Sequence, residues 1–221
     1  MGPVRHPLPV ACAGAVLAGG QGRRIGGEKA AVVVGGRTLL DRAVETVGRV
    51  ARPVAVVARP ETALPPPPAP VADSFGTDAG RFLSAGAPEV WLEPADAPRH
   101  PLTGVVYALE QAEGRAVLVC AVDLPLLDPA TLRVILIAAA LAPDAPAVVP
   151  RTGRHLQVLC ALYRPEALDG LRGFDPDARA IDVVEALGPA IVPFDDDTPF
   201  TNVNRPEDVT AAERLLKVSR R

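Results

Sequence analysis

The feature that most constrains the fold of this chain is the alternation of short apolar runs with longer segments of helical periodicity. Runs of strand length cover residues 13–18, 54–58, 90–92, 116–122, 147–149 and 156–162, and helical spacing covers 38–50, 102–111, 129–141 and 205–218. The first, second and fourth runs are apolar at successive positions, which is typical of strands covered on both faces. Repeated strand–helix units predict an α/β fold, a doubly wound, mostly parallel sheet with helices on both faces.

Capping residues mark where three of these helices begin. Thr38 is followed by an aspartate three residues later, and Asp128 precedes Pro129, which combines an N-cap residue with proline at the first helical position. Near the end of the chain, Asn204 and Glu207 have the spacing of a capping box. The last helix is therefore predicted to begin beside Asn204.

A proline-rich segment interrupts the alternation between residues 59 and 88. Residues 65–68 are consecutive prolines, which favour a stiff polyproline II conformation. Two predicted strands precede this segment, too few to form a domain of their own. We therefore predict one domain over residues 11–218, with a proline-rich insertion at about 59–88.

Charge and cysteine content limit the partners and the compartment. Lys and Arg total 23 against 26 Asp and Glu, a net charge of −3, so the chain lacks the basic balance typical of proteins that bind nucleic acid or anionic membranes. No uninterrupted apolar run reaches the roughly 18 residues of a membrane span. Prolines and a histidine interrupt the signal-like stretch at the start. The 3 cysteines lie far apart in apolar stretches, which is typical of the reducing cytoplasm. We expect a cytoplasmic protein with no nucleic-acid or membrane partner.

A glycine-rich loop directly follows the first predicted strand. Residues 19–27 contain five glycines, and Arg23, Arg24 and Lys29 add three positive charges. Because glycine lets backbone N–H groups turn inward around an anion, the loop is predicted to bind a polyphosphate. The alternative is a glycine-rich turn whose arginines are only solvated.

Asp123 is the candidate metal-binding residue. It follows the apolar run 116–122 and precedes Leu124 and Pro125. A carboxylate at the carboxyl end of a central parallel strand projects into the crevice where α/β proteins bind ligands, and there it can hold Mg²⁺ on phosphate oxygens. Asp128 is the contrasting case, because it is expected to cap the following helix.

Together these motifs resemble those of the molybdenum cofactor guanylyltransferases, the MobA-like branch of the GT-A-type nucleotidyltransferases. The family's LAGG motif, the arginine after it and the lysine that closes the loop match residues 17–20, Arg24 and Lys29. Its D-x-P, G-P-L-x-G and F-x-N-x-N-x-P-E-D motifs match residues 123–125, 100–104 and 200–208. Two residues depart from the pattern: Glu28 replaces an aspartate and His100 replaces a glycine.

This resemblance implies a Rossmann-like nucleotidyltransferase fold and a set of site residues. The implied catalytic residues are Lys29, Arg24 and Asp123, with Asp123 as the ligand of Mg²⁺. The implied nucleotide-binding residues are Leu17, Ala18, Gly19, Gly20, Gly22, Lys29, Leu102 and Gly104, with an acidic residue that is either Glu93 or Asp96.

The resemblance also implies an acceptor site, since the region after residue 150 faces the pterin in this family. The implied acceptor-binding residues are Arg154, His155, Gln157, Asn202 and Asn204. Alternatives stay open for them. Residues 151–155 are equally typical of a basic hairpin turn, with Gln157 on an exposed strand face, and Asn204 has a competing capping role.

The implied reaction is transfer of GMP from GTP to molybdopterin with release of pyrophosphate. A phosphate monoester acceptor is already an anion near neutral pH, because its second pKa is about 6, so no general base is needed. The alternatives are cytidylyl transfer to the same acceptor, guanylyl transfer to phospholactate, and a non-catalytic nucleotidyltransferase-like module with a regulatory role. GTP is expected to be preferred, since residues 101–104 keep the family pattern beside His100. The resemblance further implies transient contact with molybdoenzymes or their chaperones.

Overall fold

The computed structural model describes residues 10–19, 29–66 and 88–218 of the chain. Its strands are β1 (Ala13–Leu17), β2 (Val33–Val34), β3 (Arg37–Thr38), β4 (Val54–Ala58), β5 (Glu89–Leu92), β6 (Val117–Ala121), β7 (Ala147–Thr152), β8 (His155–Leu156), β9 (Cys160–Tyr163) and β10 (Ala190–Phe194). Its α-helices are α1 (Leu39–Gly48), α2 (Pro101–Gln111), α3 (Pro129–Leu141), α4 (Ala167–Leu171), α5 (Ala180–Ala186) and α6 (Pro206–Val218). Within the described ranges, no helix combines the length and the apolar character needed to cross a bilayer.

Eight of the strands form one sheet in the order β10-β7-β9-β6-β1-β4-β5, with β8 paired to β7, and β2 and β3 form a separate hairpin. Strands β5, β4, β1 and β6 run parallel, whereas β9 is antiparallel to both β6 and β7. The chain passes from β1 to β4 and β5 on one side and then to β6 on the other. The direction of winding therefore reverses between β1 and β6, which is where α/β sheets open a ligand-binding crevice.

Helices cover both faces of the sheet. One hydrophobic cluster contains residues of α1, α3 and α6, and the other contains residues of α2, α4 and α5. The central strand β1 is enclosed by both, and helix α1 approaches it closely: a Cβ at Gly14 would lie only 2.3 Å from Cγ1 of Val47. Glycine is therefore required at that contact. The predicted doubly wound, mostly parallel α/β fold is confirmed.

The later part of the chain differs from the sequence prediction. The run 156–162 is not one strand, because the chain turns between β8 and β9, where the N–H of Cys160 bonds the carbonyl of Gln157. Strand β10 and helices α4 and α5 were not predicted. Residues 67–87 of the proline-rich insertion lie outside the described residues, so the insertion within a single domain stays a prediction.

The start of α6 also differs from the prediction. The helix begins at Pro206, and Oδ2 of Asp208 accepts hydrogen bonds from the backbone N–H groups of Asn204 and Arg205, both at 2.8 Å. The carboxylate that closes the first turn is therefore Asp208 and not Glu207. The predicted capping box of Asn204 with Glu207 is wrong, because the side chain of Asn204 binds elsewhere.

The predicted N-cap of α3 is confirmed and gives a stability prediction. Oδ1 of Asp128 accepts from the N–H groups of Ala130 at 2.7 Å and Thr131 at 3.0 Å, and its Oδ2 accepts from the Thr131 hydroxyl at 2.8 Å. Asp128→Ala leaves these donors without the carboxylate, and we expect it to lower the free energy of unfolding by about 1 kcal/mol in urea denaturation. Asp144→Ala is the control, because Asp144 is exposed just beyond the same helix. Equal losses in the two variants would contradict the capping role.

Candidate active site

A crevice of about 570 Å³ opens at the carboxyl ends of β1, β4, β5 and β6. Because these four strands are parallel, the residues that follow them converge on one edge of the sheet. Leu17, Arg59, Glu93 and Asp123 come from the four strand ends, and the start of α2, the turn between β8 and β9 and Asn202 complete the walls. The crevice lies where the winding of the sheet reverses.

Lys29 joins three distant motifs in this crevice. It opens a single 3-10 turn after the glycine-rich loop, and its Nζ donates to Oδ2 of Asp123 at 2.6 Å and to Oδ1 of Asn204 at 2.5 Å. The backbone N–H of Val203 donates to the carbonyl of Asp123 at 2.9 Å, so the asparagine motif is also tied to Asp123 through the main chain. The side chains of Lys29 and Asp123 are only 17% and 14% exposed. Because little solvent surrounds them, their attraction is screened less than that of a pair at an open surface.

Glu93 forms a second polar group in the crevice. It follows β5, its side chain is 8% exposed, and its Oε2 lies 3.5 Å from a terminal guanidinium nitrogen of Arg59. Burial raises the pKa of the Glu93 carboxyl, and the positive charge of Arg59 opposes this effect. A Cβ at Gly104 would lie 3.0 Å from Oε1 of Glu93, so this oxygen lies directly beside the helix α2 glycine.

His100 is the N-cap residue of α2. Its Nδ1 accepts a hydrogen bond from the N–H of Leu102 at 3.2 Å, which places the ring proton on Nε2 for donation to the carbonyl of Ala178 at 3.0 Å. The ring also packs on Phe174 with a centroid distance of 4.4 Å. The imidazole that replaces the family glycine therefore ties the start of α2 to the segment between α4 and α5.

The structure brings many of the sequence-predicted site residues to the crevice. Those that line it or bond to its polar groups are Leu17, Gly19, Lys29, Glu93, Gly104, Asp123, Gln157, Asn202 and Asn204. Ala18 and Leu102 are fully buried in the core, and Asp96, Arg154 and His155 are exposed and do not line the crevice. Gly20, Gly22, Arg24 and Glu28 lie outside the described residues.

Sequence reasoning missed Arg59 as a crevice residue. Its position directly after β4 is equivalent to that of Asp123 after β6, and this was the available signal. The predicted proline-rich insertion begins at the same residue, so the sequence pattern assigns Arg59 to the insertion and not to a strand end. Gln157 has a supporting contact as well, since its Nε2 donates to Oγ1 of Thr152 at 3.0 Å.

Asp123 is the residue that suits a divalent cation. Among the described residues, no group of three or more His, Cys, Asp and Glu side chains converges on one point. Mg²⁺ is commonly bound by one or two carboxylates together with substrate phosphates. The partly exposed carboxylate of Asp123, beside a crevice large enough for a nucleotide, fits a cation that enters with a triphosphate.

Comparison with known proteins gives consistent matches along the chain. A family model described as the MobA-like NTP transferase domain matches residues 14–191. A molybdenum cofactor guanylyltransferase of Rhodobacter capsulatus is 35% identical over 210 residues, covering 93% of this chain and 96% of the relative. One from Cereibacter sphaeroides is 32% identical over 210 residues, covering 92% and 96%.

Solved structures show the same fold. The molybdopterin-guanine dinucleotide biosynthesis protein A of Archaeoglobus fulgidus matches with a TM-score of 0.67 and 24% identity, over 93% of this chain and 99% of that one. A 2-C-methyl-D-erythritol 4-phosphate cytidylyltransferase of Thermus thermophilus matches with a TM-score of 0.61 and 21% identity, over 95% and 100%. At these identities the likeness concerns the fold alone.

Proposed function

The chain belongs to the MobA-like NTP transferase family, and from that premise we propose that it transfers GMP from GTP to molybdopterin and releases pyrophosphate. It is an enzyme of the nucleotidyltransferase class, as its relatives named molybdenum cofactor guanylyltransferase are. The observation that carries the proposal is the convergence of Lys29, Asp123 and Asn204 in one crevice. A regulatory module without activity has no need to keep these polar side chains together.

In the proposed reaction, a phosphate oxygen of molybdopterin attacks the α-phosphorus of GTP. One P–O bond forms, and the bond from the α-phosphorus to the oxygen that bridges the α- and β-phosphates breaks. Pyrophosphate leaves with that electron pair. The acceptor phosphate is already an anion, so none of the residues must remove a proton. The requirements left to the protein are positioning and neutralisation of negative charge.

Three of the chain's residues supply these functions. Nζ of Lys29 is free to exchange Asn204 for a phosphate oxygen, because both are hydrogen-bond acceptors. The backbone at Gly19 can approach the phosphates closely, since no side chain stands there. Asp123 keeps Lys29 at this position and would be the protein ligand of Mg²⁺. When bound, Mg²⁺ supplies further neutralisation of the phosphate charge.

The remaining assignments follow from placement. Gln157 and Asn202 line the same crevice, and we propose that they contact the acceptor. Arg154 and His155 lie in the exposed β7–β8 hairpin and stay predictions, as do Arg24, Gly20 and Gly22. A cytoplasmic location and transient contact with molybdoenzymes or their chaperones are proposed from the family alone.

The base and the acceptor can be tested directly. We expect calorimetry with Mg²⁺ to give tighter binding of GTP than of CTP or ATP, and pyrophosphate release to require molybdopterin. Equal affinities for GTP and CTP would contradict guanylyl transfer. Pyrophosphate release with phospholactate, and not with molybdopterin, would identify phospholactate as the acceptor. Binding of GTP without pyrophosphate release with either acceptor would support the regulatory module.

A further inference from the structure

Arg59 is a buried arginine that contacts the nucleotide crevice, the segment before α2 and the nearby Glu61. Its side chain is 8% exposed, and its guanidinium donates to the carbonyls of Ala97 at 3.1 Å and Pro98 at 3.4 Å and to Oε1 of Glu61 at 3.2 Å. The same guanidinium forms the ion pair with Oε2 of Glu93 at 3.5 Å. Burying a guanidinium costs desolvation free energy, and this ion pair and these hydrogen bonds offset that cost.

The two oxygens of the Glu93 carboxylate have different surroundings. Oε2 faces Arg59. Oε1 faces two glycines: a Cβ added at Gly19 would lie 3.6 Å from it, and a Cβ added at Gly104 would lie 3.0 Å from it. No N–H or O–H group of the described residues donates to Oε1. This oxygen is therefore an acceptor at the crevice wall, beside two glycines that have no side chain to cover it.

We infer that Arg59 is a positioning residue for base specificity, which pairs with the Glu93 carboxylate and orients it to accept hydrogen bonds from N1–H and the 2-amino group of guanine. This inference rests on the proposed use of GTP. Arg59 does not touch the base in this arrangement. It acts through Glu93 and through the carbonyls of Ala97 and Pro98, which fix the segment that leads into α2.

The charge state of Glu93 decides which base fits. An ionised carboxylate only accepts hydrogen bonds, and guanine presents two adjacent N–H donors on one edge. Cytosine presents a ring nitrogen acceptor beside its amino group, and adenine does the same, so an ionised carboxylate leaves that nitrogen unpaired. A neutral carboxylic acid carries one O–H donor and one acceptor, which matches cytosine and adenine. Rejection of CTP therefore depends on keeping Glu93 ionised.

The surroundings of Glu93 oppose ionisation except for Arg59. Burial raises the pKa of the carboxyl and the nearby carboxylate of Glu61 raises it further, whereas Arg59 lowers it. Removal of the guanidinium therefore favours the neutral acid as the pH falls. The other charged or titratable groups that line this crevice among the described residues are Arg99, His100, Lys29, Asp123 and the buried thiol of Cys160. Arg99 is already paired with Glu61 at 2.8 Å.

The test compares Arg59→Met and Arg59→Lys with the wild-type protein in calorimetric titrations of GTP and CTP at neutral and at mildly acidic pH. For Arg59→Met we expect the ratio of GTP to CTP affinity to fall at least about tenfold, because the carboxylate loses the ion pair that orients it, and one hydrogen bond to a charged group contributes at least this factor. The ratio should fall further at acidic pH in this variant, and it should fall less in the wild type, because Arg59 opposes the effect of burial on the Glu93 pKa. Arg59→Lys keeps the charge and should retain most of the preference.

Two further variants separate specificity from stability. Glu93→Gln has the same shape and offers one donor and one acceptor at any pH, so it should lower the GTP preference without pH dependence, even if Arg59→Met fails to fold. Arg172→Met removes an exposed arginine that pairs with Glu110 and should leave the ratio unchanged.

Either of two results overturns the inference. One is a ratio of GTP to CTP affinity that equals the wild-type ratio at both pH values, in Glu93→Gln or in folded Arg59→Met. The other is an equal loss of GTP and CTP binding in Arg59→Met, which is what a purely structural role gives. Absence of GMP transfer by the wild-type protein counts against the proposed function instead, because the affinity ratio is measured without an acceptor.

Discussion

Asp123→Asn is expected to lower GMP transfer at saturating GTP, molybdopterin and Mg²⁺ by at least about a hundredfold, which corresponds to roughly 2.7 kcal/mol of activation free energy. Asparagine keeps the shape of the side chain and removes its charge. The variant therefore loses the carboxylate that binds Nζ of Lys29 at 2.6 Å and that would hold Mg²⁺ on the phosphates. Most of the effect should fall on turnover, since negative charge develops as pyrophosphate leaves.

Nucleotide binding without Mg²⁺ gives a second readout for the same variant. We expect the affinity for GTP not to fall, because a negative charge is removed beside a triphosphate while Lys29 remains. Asp195→Asn is the matched control, since Asp195 is exposed after β10 and does not line the crevice. Near wild-type transfer by Asp123→Asn would show that the carboxylate is structural, and the regulatory module would then gain support.

Local signals explain why parts of the fold were predictable. Helix α3 was predicted with the bounds Pro129–Leu141 that the structure has, because the Asp128 cap, the proline after it and the apolar spacing all lie within the helix or beside it. Strand β10 gave no such signal. It lies at the sheet edge with residues that alternate between exposed and half-buried, and it contains Pro193. A strand of this kind has no continuous apolar run to detect.

The polar contacts of the site depend on distant partners, which limits what spacing can predict. Strand ends and motifs indicated Lys29 and Asp123, but the choice between capping and binding for Asn204 depended on Lys29, 175 residues away. The role of Arg59 likewise depends on carbonyls 38 and 39 residues further along the chain. The break in the run 156–162 has the same origin, because β8 and β9 both pair antiparallel with β7 and three extra residues lie between the two paired stretches. Local apolar pattern does not report such long-range pairing.

Lys29→Ala is expected to weaken GTP binding by about 1.5–3 kcal/mol, the usual contribution of a hydrogen bond to a charged group, which is roughly a 10- to 150-fold rise in Kd. Its Nζ is the cation that Asp123 and Asn204 hold in the crevice, at 2.6 and 2.5 Å. Transfer should fall by more than binding does, because Nζ also neutralises charge that appears only as pyrophosphate departs.

Lys217→Ala is the matched control for this variant, since Lys217 is the other lysine of the chain and lies exposed in the last turn of α6. It should bind GTP and transfer GMP at wild-type levels. Circular dichroism and thermal unfolding must show that Lys29→Ala is folded, because the substitution leaves the Asp123 carboxylate, 14% exposed, without its cation. A folded Lys29→Ala protein with wild-type GTP affinity and transfer would place the phosphates elsewhere. The crevice between β1 and β6 would then no longer be the nucleotide site.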